Sequence, residues 1–226
     1  MLRWPLHIVP KAAVFPIMSG PARGFKWVVG ASIHGCWLGT YEKNKQKRFN
    51  AAIRPDDVVY DLGAQAGFYS LLASRLVGRQ GAVYAFEPLP RNVRFLQKHI
   101  ELYGVTNINV FELAIGGTDG TARFADGPNP LQGSLSESGA RAVRVAQLDT
   151  LFSEGRLRPP NVLKIDIEGG GLAACLGAKR LLETYKPNVF LAIDAQSDYE
   201  CCDFLKTLGY RIDEFDVNEI VATTES

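Results

Sequence analysis

Two carboxylates flanking a glycine-rich turn carry the first sign of chemistry. In "VVYDLGAQAGFYS" an apolar run ends at Asp61, Gly63 and Gly67 follow four residues apart, and Phe68 opens a helical pattern around Gln65's turn. Glu87 closes a second apolar run, "GAVYAFE", 20 residues past Gly67, and Pro88 follows it. Glycine permits a tight bend and lets a ligand lie against bare backbone. A helix starting near Gly67 offers unpaired N–H groups to an anion. An acid at the end of the second strand is placed to accept from both hydroxyls of a ribose. Asp61 narrows the ligand, because a pyrophosphate would be repelled by a carboxylate there and "GAQAG" lacks the G-x-G-x-x-G spacing of dinucleotide sites. S-Adenosylmethionine carries an ammonium and a sulfonium beside its carboxylate. An acid suits those cations while helix N–H groups serve the carboxylate, so these residues point to S-adenosylmethionine as the cofactor.

A second group lies in "VLKIDIEG", where Lys164, Asp166 and Glu168 share one parity and Leu163, Ile165 and Ile167 the other. A central strand covered by helices should be apolar on both faces, so three ionisable groups on one face require partners, water or a task. Two readings stand: a Lys–Asp structural pair with Glu168 capping a turn, or a carboxylate that orients or deprotonates an acceptor. In-line displacement at a sulfonium needs alignment and a sink for the acceptor's proton. For an alcohol acceptor a general base is worth roughly 10²–10⁴-fold. Asp166 is the first choice, Glu168 the second and His34 the third; His34 has a suitable pKa, although one histidine in an irregular segment is more often structural. Asp194 could join Asp166 on a divalent cation, but no spacing compels it and no metal is expected. Glu42 is expected over the cofactor's ammonium with Trp37 and Tyr41 as walls, or else as a capping acid beside core aromatics. His99 reads as an exposed helix residue.

These groups must be positioned by regular elements. Residues 1–50 read as an irregular N-terminal extension or cap, and 51–226 as the domain that carries the chemistry. Phe68, Leu71, Leu72 and Leu76 follow helical spacing after the strand "DVVYDL". "INVFELAI" is a third strand, "NVLKIDIEG" a fourth parallel one and "NVFLAID" a fifth, with helices between. "YRIDEFD" and "EIVAT" form a closing antiparallel pair. The expected fold is α/β: a doubly wound, mostly parallel Rossmann-like sheet with its site at the carboxyl ends of the strands. "DGPNPLQGSLSESGA" reads as an aperiodic surface loop that could close over an acceptor.

Bulk properties exclude several functions. The 226 residues are 46% hydrophobic and 22% charged with a formal net charge of +1, so no global field favours nucleic acid. The basic run Lys43, Lys45, Lys47 and Arg48 reads as the wet face of a helix. Cys36, Cys175, Cys201 and Cys202 show no framework spacing, which suits reduced thiols in a cytoplasmic setting. Pro5, Pro10 and Pro16 interrupt the apolar N-terminus, so it is not read as a signal peptide. No apolar run reaches the length of a transmembrane span, while peripheral membrane contact stays compatible with a lipid substrate. Oligomeric state is not legible.

Together, "DLGAQAGFYS", "VYAFEPLPRNVRFLQKH", "VAQLDTL", "LKIDIEGGGLAACLGAKRLL" and "KPNVFLAID" resemble the FkbM-type methyltransferases over roughly residues 50–210. The resemblance implies a class I methyltransferase fold and S-adenosylmethionine-dependent methylation of a hydroxyl on a sugar-containing small molecule, polyketide or glycolipid. Alternatives are N- or C-methylation on the same fold, or a binding module without catalysis. By position, Asp61, Gly63 and Gly67 would form the methionine-side turn, Glu87 the ribose acid, and Ala114 and Ile115 the adenine flank. Asp166 and Glu168 would stand beside the transferred methyl. Gln65 stands where the family usually has Asn, Gly171 where it has an acid, and Asp194 where His or Glu is common.

Overall fold

Strand and helix alternate along the chain because short apolar runs and stretches of helical period alternate, and tertiary packing turns that order into a main sheet covered on both faces. A computed structural model describes residues 9–126, 133–135 and 139–224. The N-terminal segment is not irregular over its described part. It forms an antiparallel hairpin of β1 (Val14–Pro16) and β2 (Lys26–Val28), then α1 (His34–Leu38) and α2 (Lys43–Ala52). Phe25, Trp27 and Phe49 explain the order there, since each is buried against the main domain. Burying a large apolar side chain is worth roughly 1.5–3 kcal/mol, and Phe49 finds its partner in Phe190 at 5.4 Å. Residue 50 lies inside α2, so a helix runs across the boundary read from the sequence.

The main sheet begins with β3 (Val58–Leu62), followed by α3 (Phe68–Val77), β4 (Ala82–Phe86), α4 (Pro90–Tyr103) and β5 (Ile108–Phe111). The run "INVFELAI" breaks after Phe111; β6 (Ala114–Ile115) leaves for a separate four-stranded sheet with β7 (Gly120–Asp126), β8 (Gly133–Leu135) and β9 (Arg141–Ala146), in the order β6-β9-β7-β8. The expected loop over 126–140 thus contains a strand paired to β7; the idea that it closes over an acceptor concerns positions 127–132 and 136–138, outside the described residues. The chain then runs through α5 (Leu148–Ser153), β10 (Val162–Ile165), α6 (Gly171–Leu176), α7 (Lys179–Tyr185), β11 (Asn188–Ala192), α8 (Gln196–Thr207), β12 (Arg211–Asp216) and β13 (Glu219–Thr223).

The main sheet has the order β12-β13-β11-β10-β3-β4-β5. Strands β3, β4, β5, β10 and β11 run parallel, and β13 joins β11 antiparallel as the closing hairpin. Strand order reverses between β3 and β10, and in an open α/β sheet the crevice for a ligand opens at that point, outside the carboxyl ends. One face buries Tyr60, Leu62, Phe86 and Ile165. The other buries Val59, Val83 and Phe190 under α3 and the N-terminal layer. All four cysteines are free and buried, with Sγ of Cys201 3.1 Å from Sγ of Cys175. Among the described residues no helix is long and apolar enough to cross a membrane.

Candidate active site

The turn after β3 is shaped by its approach to β10. Gly63 has φ +76°, and a Cβ there would collide with the Asp166 carbonyl oxygen, so only glycine lets the two strand ends meet. Gly63 and Ala64 donate their N–H groups to the Phe86 carbonyl at 3.0 Å each, which ties the turn to β4. Gln65, at φ +47°, donates its N–H to Glu87 Oε2 at 2.9 Å, and Leu89 N–H donates to Glu87 Oε1 at 2.8 Å. Burial pushes the Glu87 pKa up, against the opposing pull of hydrogen bonds from Leu89, Asn92 and Gln65.

Beside this turn lies a cavity of about 210 Å³. Its wall brings together Gly63, Gln65, Glu87, Pro88, Ala114 and Ile115, all read from the sequence as cofactor contacts, and Asp166 and Glu168, read as catalytic. The carboxyl ends of β3, β4 and β10 converge there, as parallel topology requires, and β6 of the smaller sheet closes the wall. A small adjoining space shares Gly63, Gln65 and Asp166 and is bounded by Phe68, Tyr41 and Tyr69. Enclosed small-molecule pockets are usually about 300–1,000 Å³, so a nucleotide held here lies partly in the open cleft.

Asp61 does not reach either wall. Lys164 is its register partner on β10, and Nζ sits 3.0 Å from Asp61 Oδ1 while Ser70 Oγ donates to Oδ2 at 2.6 Å. The fully buried Asp61 is therefore spent on an internal ion pair, and it is Asp166 that presents a carboxylate to the cleft. Lys45 corrects a second expectation. It is 1% exposed rather than solvated, with Nζ 2.7 Å from Glu219 Oε1, 3.2 Å from Asp166 Oδ2 and 3.4 Å from Glu42 Oε2. Glu42 also accepts from the Tyr69 hydroxyl at 2.8 Å. It belongs to this cluster rather than to a cavity wall, and makes no side-chain cap on α2. His34 is not brought to the site. Its Nδ1 accepts from Trp37 Nε1 at 3.1 Å, and neither ring lines the cavities. His99 is fully buried, accepting the Val28 N–H at Nε2 (3.0 Å) with Nδ1 2.7 Å from the Ala66 carbonyl, so it clamps the N-terminal hairpin to the turn. Gly67, at φ +92°, caps α3 without lining the space.

The electrostatics follow from this chain of charges. Burial alone would raise the Asp166 pKa, but the ammonium groups of Lys45 and Lys164 overcome it and hold the carboxyl below the usual range. Burial would depress Lys45, and Asp166, Glu42 and Glu219 reverse that. Glu219 is pushed up to about 7 by burial, against the attraction of Lys45. At the end of β11, exposed Asp194 is raised to about 6 by partial desolvation and by repulsion from Asp166, Glu168 and Asp198. Gly171 has a steric reason as well: a Cβ there would lie 2.6 Å from Asp198 Oδ1. Asp198 takes the N–H groups of Gly171 (3.2 Å), Asp194 (3.0 Å) and Ala195 (2.9 Å), joining the two loops of the rim. Replacing Asp198 with Ala leaves the buried Gly171 N–H and two part-buried N–H groups without their acceptor and is expected to cost about 1–3 kcal/mol in urea unfolding; an unchanged midpoint would show the loops stand without it.

The model of the methyltransferase FkbM domain matches residues 61–212. The chain belongs to the FkbM methyltransferase family. A hexuronic acid methyltransferase, AglP, of Haloferax volcanii is 25% identical over 156 residues, which are 68% of this chain and 62% of that protein. "Methyltransferase 1" of Beauveria bassiana is 24% identical, with 58% of this chain and 62% of that protein covered. This FkbM chain therefore spans about three-fifths of the length of those relatives. Among solved structures, an FkbM methyltransferase from Methylobacillus flagellatus superposes with a TM-score of 0.56 at 17% identity, covering 85% of this chain and 55% of that one. A precorrin-6y C5,15-methyltransferase from Geobacter metallireducens gives 0.55 at 18% identity, with 82% and 90% covered. Both likenesses establish the class I methyltransferase fold.

S-Adenosylmethionine is the cofactor that goes with this family and fold, and the FkbM site fits it. The cluster of Asp61, Lys164, Asp166, Lys45, Glu42 and Glu219 holds two ammonium groups against four carboxyls. That leaves a negative excess beside the smaller space, suited to a ligand with an ammonium and a sulfonium. Asn92, Leu89, Phe124, Lys45, Tyr69 and Glu219 were not read as site residues. Asn92, the third residue of α4, follows Glu87 closely enough to have been suspected, whereas Phe124 and Glu219 carry no local signal.

Proposed function

We propose that this chain transfers a methyl group from S-adenosylmethionine to a hydroxyl oxygen of a sugar-containing acceptor. The observation that carries the reading is the rim of three carboxyls, Asp166, Glu168 and Asp194, at the ends of β10 and β11, two of them on the cavity wall. The likeness to a hexuronic acid methyltransferase supports a sugar-containing acceptor. When bound, the cofactor supplies an electrophilic methyl group. Glu87 would hold its ribose and Ala114 and Ile115 would flank its base, while Asp166, fixed by Lys45 and Lys164, would face its cationic end. A carboxylate locked between two ammonium groups is a weak base, so Asp166 orients rather than deprotonates. Asp194 takes the acceptor's proton, having a proton affinity matched to neutral pH, and Glu168 aligns the hydroxyl from the wall. Three acids at the rim repel a carboxylate, which favours a neutral sugar over a uronic acid at the reacting position.

Incubation with methyl-labelled S-adenosylmethionine and a panel of neutral and acidic glycosides tests this directly. Label in an ether-linked methyl of a neutral glycoside is the expected result; label on nitrogen or carbon, or none with the cofactor bound, overturns the acceptor class. Glu87→Gln is expected to weaken cofactor binding by roughly 1.5–3 kcal/mol, the scale of hydrogen bonds to a charged group. Calorimetric titration at unchanged affinity would remove Glu87 from the site.

A further inference from the structure

Away from the cavity, an open groove of about 670 Å³ runs between the N-terminal segment and the outer stripe of α4. Its floor is apolar, from Val14, Val28 and Phe95, and its rim carries Lys11, Arg91, Arg94 and Lys98 with no acid among the lining residues. Arg91, Arg94, Phe95 and Lys98 fall at i, i+3, i+4 and i+7, so one face of α4 is presented to the groove. Arg91 is held in place, donating from Nη2 to the Gly30 carbonyl at 3.0 Å and lying 4.9 Å over the Phe95 ring. Lys11, Arg94 and Lys98 are exposed, and the acid paired to this rim, Glu101, meets Lys98 at 3.8 Å in solvent. The segment from Val9 to Tyr41 contains Lys11, Arg23 and Lys26 and no Asp or Glu. The near-neutral chain therefore concentrates positive charge on one layer. Val14, on the groove, is 42% exposed, and elsewhere the N-terminal segment exposes Met18 (61%) and Ile33 (53%), while Phe15 turns to the other face of the hairpin against Trp37.

We propose that this groove and the N-terminal layer around it dock the protein on an anionic lipid bilayer, the rim cations pairing with headgroup phosphates and the apolar side chains reaching the interface. Charge complementarity selects this occupant. Four cations around an apolar floor match an anionic headgroup above an acyl region, whereas a nonpolar partner would leave them without counter-charge. The docking does not depend on the methyl-transfer chemistry, because none of these residues lines the catalytic cavity.

The test is co-sedimentation of the full chain with vesicles of phosphatidylcholine alone or of equal parts phosphatidylcholine and phosphatidylglycerol. The expected result is at least about tenfold more protein on the anionic vesicles, falling steeply with added salt. Arg94→Glu combined with Lys98→Glu should lower that partition by at least about twentyfold, at roughly fivefold for each cation removed. Val14→Ser should lower the part of the binding that resists salt. The cofactor titration of each variant should be unchanged, which separates lost docking from lost folding. Equal binding to both vesicle types, binding to neither, or a self-association that buries the groove would overturn the proposal; the salt dependence of the unsubstituted protein decides the matter even where a variant fails to fold.

Discussion

Replacing Lys164 with methionine is expected to destabilise the protein by about 3–5 kcal/mol, the cost of leaving one partner of a buried ion pair without its counter-charge. Lys164 is 2% exposed, and its Nζ meets Asp61 at 3.0 Å and Asp166 at 3.4 Å. Without the ammonium, Asp61 keeps the Ser70 hydroxyl but loses its cation in a fully buried position. Asp166 retains Lys45 at 3.2 Å, so the damage centres on Asp61. The double variant Lys164→Met with Asp61→Asn should recover much of the loss, because both charges then leave together. Urea unfolding of the two single variants and the double gives the coupling directly. A Lys164→Met loss below about 1 kcal/mol, or no recovery in the double variant, would mean that water reaches the pair and screens it.

Asp194→Asn is expected to reduce kcat/KM for a hydroxyl acceptor by about 10²–10⁴-fold, the usual worth of a general base. The pH profile carries the sharper signature. A base must be ionised to act, and with its pKa pushed up to about 6 the activity of the parent enzyme should fall as pH drops through about 6 and level off above it. The asparagine variant should lose that limb while its cofactor affinity stays put. Glu219, raised to about 7 by burial and held against Lys45, titrates in the neighbouring range. Glu219→Gln separates the two groups: the limb near 6 should survive it. A limb that persists in Asp194→Asn and vanishes in Glu219→Gln would move the proton chemistry from the rim to the lysine cluster.

The charged cluster illustrates how the two levels of description divide. Lys164, Asp166 and Glu168 were legible as an anomaly, since three ionisable groups on one face of an apolar strand demand a reason. The sequence offered both a structural pair and a catalytic acid; the structure makes the pair and also leaves one of its acids at the cavity. Lys164 makes the pair, with Asp61 as well as Asp166, and Asp166 still borders the cavity. Asp61 was correctly read as an acid at a strand end, but its direction depends on the side of the strand it occupies. It shares a face with Val59, beneath α3, where Ser70 and Lys164 wait. Lys45 failed for a related reason. A run of lysines on a polar helix looks solvated until the fold lays α2 across the sheet and brings Asp166 and Glu219 to one of them.

The sequence alone determined the alternation of strands and helices, the glycine turn at Gly63, and the convergence of Glu87, Asp166 and Glu168, while Ala114 and Ile115 were placed there only by the family resemblance. Period and turn chemistry are local properties, and a parallel sheet necessarily gathers its strand ends on one edge. Tertiary structure alone decided which acid borders the cavity, why His99 serves the N-terminal hairpin, and how Phe124 reaches the cavity wall and Glu219 the lysine cluster. Those outcomes turn on strand register and on contacts between residues distant in the chain, such as Lys45 with Asp166 and Glu219, and no local pattern in a chain encodes them.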